Sequence, residues 1–207
     1  MGVRVSRSAW IFWIALLMTG AWTAWRSGKT AWELAMEMRP WCVILASAGM
    51  HELGHGVAAW GAGVRVKGLR VDLLGARICL EGLLSYGQEI LVAAGGPVAS
   101  FLCAAIGYPM WASGCGEGWR LFGDVSLAFG ILNLFPAWSL DGGRILRSAV
   151  ALLAGDRTAA VLLRCTTALC LALLWLWATY ALLRANSMLS VFAFSLCLLG
   201  RVMREES

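Results

Sequence analysis

Charge is the scarcest commodity in this sequence. Asp, Glu, Lys and Arg make up 14% of its 207 residues, and 60% are hydrophobic. An ordinary soluble domain carries about 25% charged residues, so the balance excludes a soluble globular enzyme and, more firmly, a disordered chain. Histidine is scarcer still, with two in all, which excludes a metal site built on three imidazoles. Seven cysteines (Cys42, Cys79, Cys103, Cys115, Cys165, Cys170 and Cys197) include no CxxC pair. Neither a disulfide framework nor a zinc finger fits that spacing, and the thiols read as small apolar residues buried within apolar runs. The sequence contains no internal repeat and no low-complexity tract, and no soluble domain is expected at either end.

What remains is long uncharged runs. About 20 apolar residues cross a bilayer core of roughly 30 Å, and the gaps between charges have that length. They run from Arg7 to Arg26, Arg39 to Arg65, Glu89 to Glu117, Asp124 to Asp141 (starting near Leu121), Arg164 to Arg184 and Arg184 to Arg201. The expected fold is an all-α polytopic membrane protein of about six spanning helices, with the last two forming a tight hairpin at Arg184. The first run follows two arginines, as a signal peptide would. It is long for such a peptide, however, and ends in Trp22, Trp25 and Arg26 instead of small residues, so a retained helix is expected.

The formal net charge of +5 comes from basic residues that are spread along the chain. That distribution argues against a nucleic-acid partner. With a cytoplasmic N-terminus, eleven of the 17 Lys and Arg fall on the inner side and five on the outer, with Arg164 unassigned. The positive-inside bias therefore puts both termini in the cytoplasm. Tryptophans near span ends (Trp10, Trp25, Trp41, Trp138) read as interfacial anchors.

Against this apolar background the two histidines stand as His51-Glu52-Leu53-Gly54-His55. Residues four apart on a helix share a face, about 5–6 Å apart at Cβ, so both imidazoles reach one zinc at roughly 2.0–2.1 Å. Glu52 then points beside the metal, placed to take a proton from an activated water. The competing reading is a hydrogen-bonded histidine pair inside a bundle. Three ionisable groups in five residues at mid-span are costly, and a divalent cation is the compensation that serves all three.

Catalytic zinc takes three protein ligands, and without a third histidine a carboxylate must serve. Asp141 is the candidate, expected near the inner end of the fourth span at a depth similar to the histidines. Pro136 and the Gly142-Gly143 pair are expected to break the helix there, which is tolerated where backbone lines protein or a watery cavity. The alternatives are a helix cap at Asp141, or Asp124 as the ligand from the opposite face.

Between the second and third spans, Val64, Val66, Val71 and Leu73 partly alternate with Arg65, Lys67, Arg70 and Asp72, punctuated by Gly68 and Gly75. That pattern predicts a small hairpin or strand, able to hold a substrate extended by edge pairing. A basic loop on lipid headgroups is the other reading. Gly95, Gly96 and Ser100 read as small residues that let helices approach closely.

His51-Glu52-Leu53-Gly54-His55, followed by Leu132-Asn133-Leu134-Phe135-Pro136 and Leu140-Asp141-Gly142-Gly143-Arg144, resembles the site-2 protease family of intramembrane zinc metalloproteases. The likeness is greatest to compact sporulation-type bacterial members that process a membrane-associated pro-sigma factor. The resemblance implies one Zn2+ per chain held by His51, His55 and Asp141, with Glu52 as general base and Asn133 and Pro136 against the substrate. It implies a single protease domain over 1–207 with its catalytic core at about 41–147, set in a bacterial cytoplasmic-type membrane. Its partners would be a membrane-tethered protein substrate, inhibitory or regulatory membrane proteins, and further copies of itself. Ala94-Gly95-Gly96-Pro97-Val98-Ala99-Ser100 resembles the family's GGP segment, with Ser100 standing where asparagine is common. The chain has no PDZ insertion. It ends a few residues after the sixth expected span, so the ATP regulation of sporulation-type members is not carried over. A metal transporter and a catalytically silent substrate-binding homologue are the alternatives from other classes.

Overall fold

The computed structural model describes residues 2–5, 18, 26, 28, 30–72 and 75–185. The first and sixth expected spans, Cys197 and the hairpin's 73–74 tip lie outside the described residues, apart from isolated positions. Two compact units divide the chain, one formed by Met1–Leu84 with Ala94–Ile131 and the other by Ser85–Ala93 with Leu132–Ser207.

The first unit opens with strand β1 (Gly2–Val5) and helix α1 (Ala31–Gly61). Thr30 and Glu33 cap α1 reciprocally: the Thr30 backbone N–H donates to the Glu33 carboxylate at 2.8 Å, and the Glu33 N–H donates to the Thr30 hydroxyl at 3.4 Å. This satisfies two of the four N–H groups a helix start leaves without partners. The helix thus begins eight residues before Arg39 and carries Glu33, Glu37, Arg39 and Pro40 within it. At its far end the Ala62 N–H closes on Ala58, and Gly63 turns the chain with φ +71°, a left-handed conformation that favours glycine.

Strands β2 (Val66–Asp72) and β3 (Gly75–Leu80) then form the expected antiparallel hairpin, with an irregularity between Val66 and Gly68. β1 adds in parallel on the other side of β2, giving the order β1-β2-β3. A third strand at Gly2–Val5 was not legible from alternation, because four residues carry too short a pattern.

Helix α2 (Tyr86–Ala112) gives Ser85–Ala93 to the second unit and the rest to the first. In the first unit α1 and α2 cross at glycines. A side-chain carbon added to Gly95 would lie 2.5 Å from the Gly54 carbonyl oxygen and 2.6 Å from Ala58 Cβ. The backbones therefore touch, as expected of small residues there. Helix α3 (Glu117–Asn133) follows, tied to α1 by a buried Ser126 to Ser47 hydroxyl hydrogen bond of 3.1 Å.

The fourth expected span does not reach Asp141. α3 ends at Asn133, an irregular stretch covers 134–140, and a separate helix α4 (Asp141–Ala154) begins at the aspartate itself. Pro136, which has no N–H to give, sits in that irregular stretch. Gly142 and Gly143 do not break a helix; they lie inside α4's first turn. Gly155, at φ +82°, links α4 to α5 (Asp156–Ala185). Arg184 is helical, so the expected tight turn is not at that residue.

Among the described residues, two helices are long and apolar enough to cross a membrane, Tyr86–Ala112 and Asp156–Trp177. The expected six are not reached. α3 has 17 residues and carries Arg120 and Asp124, while α1 is long but carries acids, an arginine and the histidines. The two apolar helices turn large side chains outward: Leu91, Val98, Leu102 and Ile106 on one, Leu162, Leu169, Leu173 and Leu176 on the other. Such stripes are foreign to a water-facing surface and suit lipid. This is the surface that membrane-embedded helices present. The six described cysteines are all unpaired, but only Cys103 is buried, so the reading of buried thiols holds for that one alone.

Candidate metal centre

The histidine pair lies in the first unit on uninterrupted α1, where the four-residue spacing places both rings on one buried face. His51 Nε2 and His55 Nε2 stand 3.3 Å apart, with the rings edge to face at a centroid distance of 4.9 Å. His51 Nδ1 is hydrogen-bonded to Ser100 Oγ of α2 at 2.9 Å. The Phe129 ring of α3 flanks His51 at 6.2 Å. Gly96 lies against both imidazoles, and a Cβ there would come within 2.6 Å of His51 Nε2. Only glycine leaves this room. Glu52, the next residue along α1, is half-buried.

This arrangement fits a metal. Two nitrogens bound to one tetrahedral zinc at about 2.0–2.1 Å stand roughly 3.3 Å apart, which is the separation seen. Two ring nitrogens turned toward each other at that distance need something electropositive between them. Asp124, the rival acid, is engaged elsewhere in the same unit. It accepts the Tyr108 hydroxyl at 3.0 Å and faces Arg120 at 3.9 Å.

In the second unit, Asp141 is buried in the first turn of α4. Leu140 is the cap residue, so Asp141 is not itself the helix cap. The loop before it is folded tightly onto the helix start. A Cβ on Gly142 would strike the Leu134 and Phe135 carbonyls, and one on Gly143 the Ala137 carbonyl. Arg144 Nη1 lies 3.8 Å from Asp141 Oδ1, and Arg144 Nε lies 3.7 Å from Glu89 Oε1. Glu89 is held in turn by the Ser148 hydroxyl, which donates to Oε2 at 3.0 Å. Asn133 ends α3 and is half-buried, as is Pro136 in the loop. Ser139 Oγ, in the same loop, is the one buried side-chain N or O without a hydrogen-bond partner among the described residues.

Each unit thus buries donors of the kinds a catalytic zinc takes, two imidazoles in the first and a carboxylate in the second. Ser100 and Gly96 were read from the sequence as packing residues in a stretch resembling the family's GGP segment, not as contacts of the histidines. Their contact with the histidines crosses between helices some 40 or more residues apart, and no local signal reports it.

Residues 108–173 match Peptidase family M50, a stretch that includes Asn133, Pro136 and Asp141. A candidate zinc metalloprotease of Synechocystis sp. is 31% identical over 143 residues, covering 66% of this chain and 37% of that protein. A zinc metalloprotease of Methanocaldococcus jannaschii is 26% identical over 122 residues, covering 53% and 33%. A candidate zinc metalloprotease of Mycobacterium tuberculosis is 33% identical over 116 residues, covering 51% and 29%. The chain thus spans about a third of the length of the curated relatives it matches. The site-2 protease from Methanocaldococcus jannaschii shares the fold, with TM-score 0.63 and 21% identity over 94% of this chain and 88% of that one. The chain is thus similar in sequence to members of Peptidase family M50 and in fold to a site-2 protease.

Proposed function

We propose that this protein is a zinc-dependent intramembrane endopeptidase in which His51, His55 and Asp141 hold one Zn2+ and Glu52 is the general base. The observation that carries the reading is the pair of buried imidazole nitrogens 3.3 Å apart with Glu52 beside them on α1. Support for Asp141 as third ligand comes from its burial at the start of α4 and from the carboxylate being a donor that completes two imidazoles on a catalytic zinc. The relatives' names support zinc.

His51, His55 and Asp141 would hold a zinc, which when bound would supply Lewis-acid polarisation of a scissile carbonyl and a more acidic water. Glu52 accepts the proton of the attacking water and returns it to the leaving amine nitrogen, a transfer worth about 10²–10⁴-fold in rate. Asn133 and Pro136 contact the substrate backbone. Pro136 keeps the 134–140 stretch out of helix, and Ser139 Oγ, without a protein partner, is left to bond water or a substrate amide. The β2–β3 hairpin gives an extended substrate an edge to pair with. The substrate is a membrane-embedded or membrane-tethered protein cut near the cytoplasmic face. By resemblance to the sporulation-type members it is a pro-sigma factor or a regulator that retains one.

The test co-expresses wild type and Glu52→Gln with candidate tethered substrates and assays zinc in both purified proteins. Cleavage by wild type alone, with equal zinc, is the expected result. Cleavage by Glu52→Gln overturns the mechanism, and metal flux into liposomes without cleavage favours transport.

A further inference from the structure

We infer that Ser100 is a positioning residue for the metal, acting through His51. An imidazole can offer a metal only one nitrogen, and the hydrogen bond made by the other decides which one. In this chain the other nitrogen is assigned by geometry: His51 Nδ1 meets Ser100 Oγ at 2.9 Å, and both residues are buried. With His51 a ligand through Nε2, the Nδ1–H donates to the serine oxygen and the lone pair stays on Nε2. That is the nitrogen facing His55 Nε2 at 3.3 Å. The bond also fixes the ring's rotation, because a buried hydroxyl on a rigid helix is a stationary acceptor.

The rigidity has a visible cause. α1 and α2 are in backbone contact at Gly54 and Gly95, and Ala99 and Ala58 pack beside that contact. Ser100 follows Ala99 directly, so its distance to His51 is set by a crossing with no slack. Gly96, one turn before Ser100, keeps α2 clear of both Nε2 atoms. One face of α2 thus serves the histidines twice, by leaving room at Gly96 and by orienting a ring at Ser100.

This inference rests on the reading of His51 as a ligand, and its test separates the two. With only two histidines in the chain, ¹⁵N-labelled histidine gives an interpretable spectrum of the zinc-loaded wild type. The expected spectrum has His51 protonated at Nδ1 and metal-bound at Nε2. Metal on Nδ1, with the proton on Nε2, overturns the role of Ser100 even though the ligand reading survives. A His51 ring untouched by zinc overturns both. In chelator competition, Ser100→Ala is expected to weaken zinc binding by about 10–100-fold, while Ser100→Asn, which keeps an acceptor, recovers most of that loss. Equal affinity in wild type and Ser100→Ala contradicts the inference.

Discussion

The two histidines and Asp141 reach their positions by different physical means. The histidines sit inside an unbroken helix, where the four-residue repeat alone aligns their rings, and a helix crossing at Gly54 and Gly95 supplies the wall. Asp141 starts a helix. Its place depends on a seven-residue loop folded onto Gly142 and Gly143, and on the Arg144, Glu89 and Ser148 chain beside it. One part of the proposed donor set is held by secondary structure, the other by tertiary packing of backbone. The first tolerates change along the helix but not across it; the second has no tolerance at the loop contact.

The largest expected effect separates chemistry from support. Glu52→Gln removes a proton acceptor and leaves both rings in place, so cleavage should fall by about 10²–10⁴-fold with zinc content unchanged in metal analysis. Loss of zinc in that variant would make Glu52 structural and erase the distinction between base and ligand.

Next come substitutions at the two glycine surfaces. Gly142→Ala drives a methyl group into backbone carbonyls that cannot swing aside. Overpacking of this kind costs about 1–3 kcal/mol, read as a lower thermal midpoint in detergent. Gly96→Ala meets imidazole atoms, which can move. It should retain the fold and lose cleavage by roughly a hundredfold, the scale of about 1 Å of misplacement. Gly49→Ala, on the same helix as the histidines with nothing within 4 Å of the added carbon, is the control. It should gain about 0.5–1 kcal/mol from helix propensity. A midpoint for Gly142→Ala equal to wild type would show that the loop is not pinned as described.

The smallest effect belongs to the ion pairs. Arg144 is more than one-third exposed, and its contacts with Glu89 and Asp141 are long. Arg144→Gln should change stability by less than about 1 kcal/mol in denaturant unfolding. A larger loss would mean that the arginine, more than the loop, sets Asp141.

The same contrast explains what could be read from the sequence. His51, Glu52 and His55 were legible because helical spacing is local, and the β2–β3 hairpin because strand alternation is local too. Thr30 and Glu33 carry a readable capping signature that marks α1's true start, but counting uncharged runs passes over it, since the run begins only after Arg39. α4 was missed for a related reason. Arg144 and Arg147 interrupt any apolar run, and a helix recognised by its amphipathic face does not show in gaps between charges. Asp141 was named as a ligand although its helix was misplaced. The meeting of Ser100 with His51 depends on how α1 crosses α2, which no window along one segment reports.

X-ray absorption of the zinc-loaded protein tests the central claim most directly. The account predicts one zinc per chain, with two imidazole nitrogens and a carboxylate oxygen in its first shell at about 2.0–2.2 Å. It predicts that the carboxylate contribution disappears in Asp141→Ala. A first shell lacking two imidazoles, or one unchanged by Asp141→Ala, would contradict it.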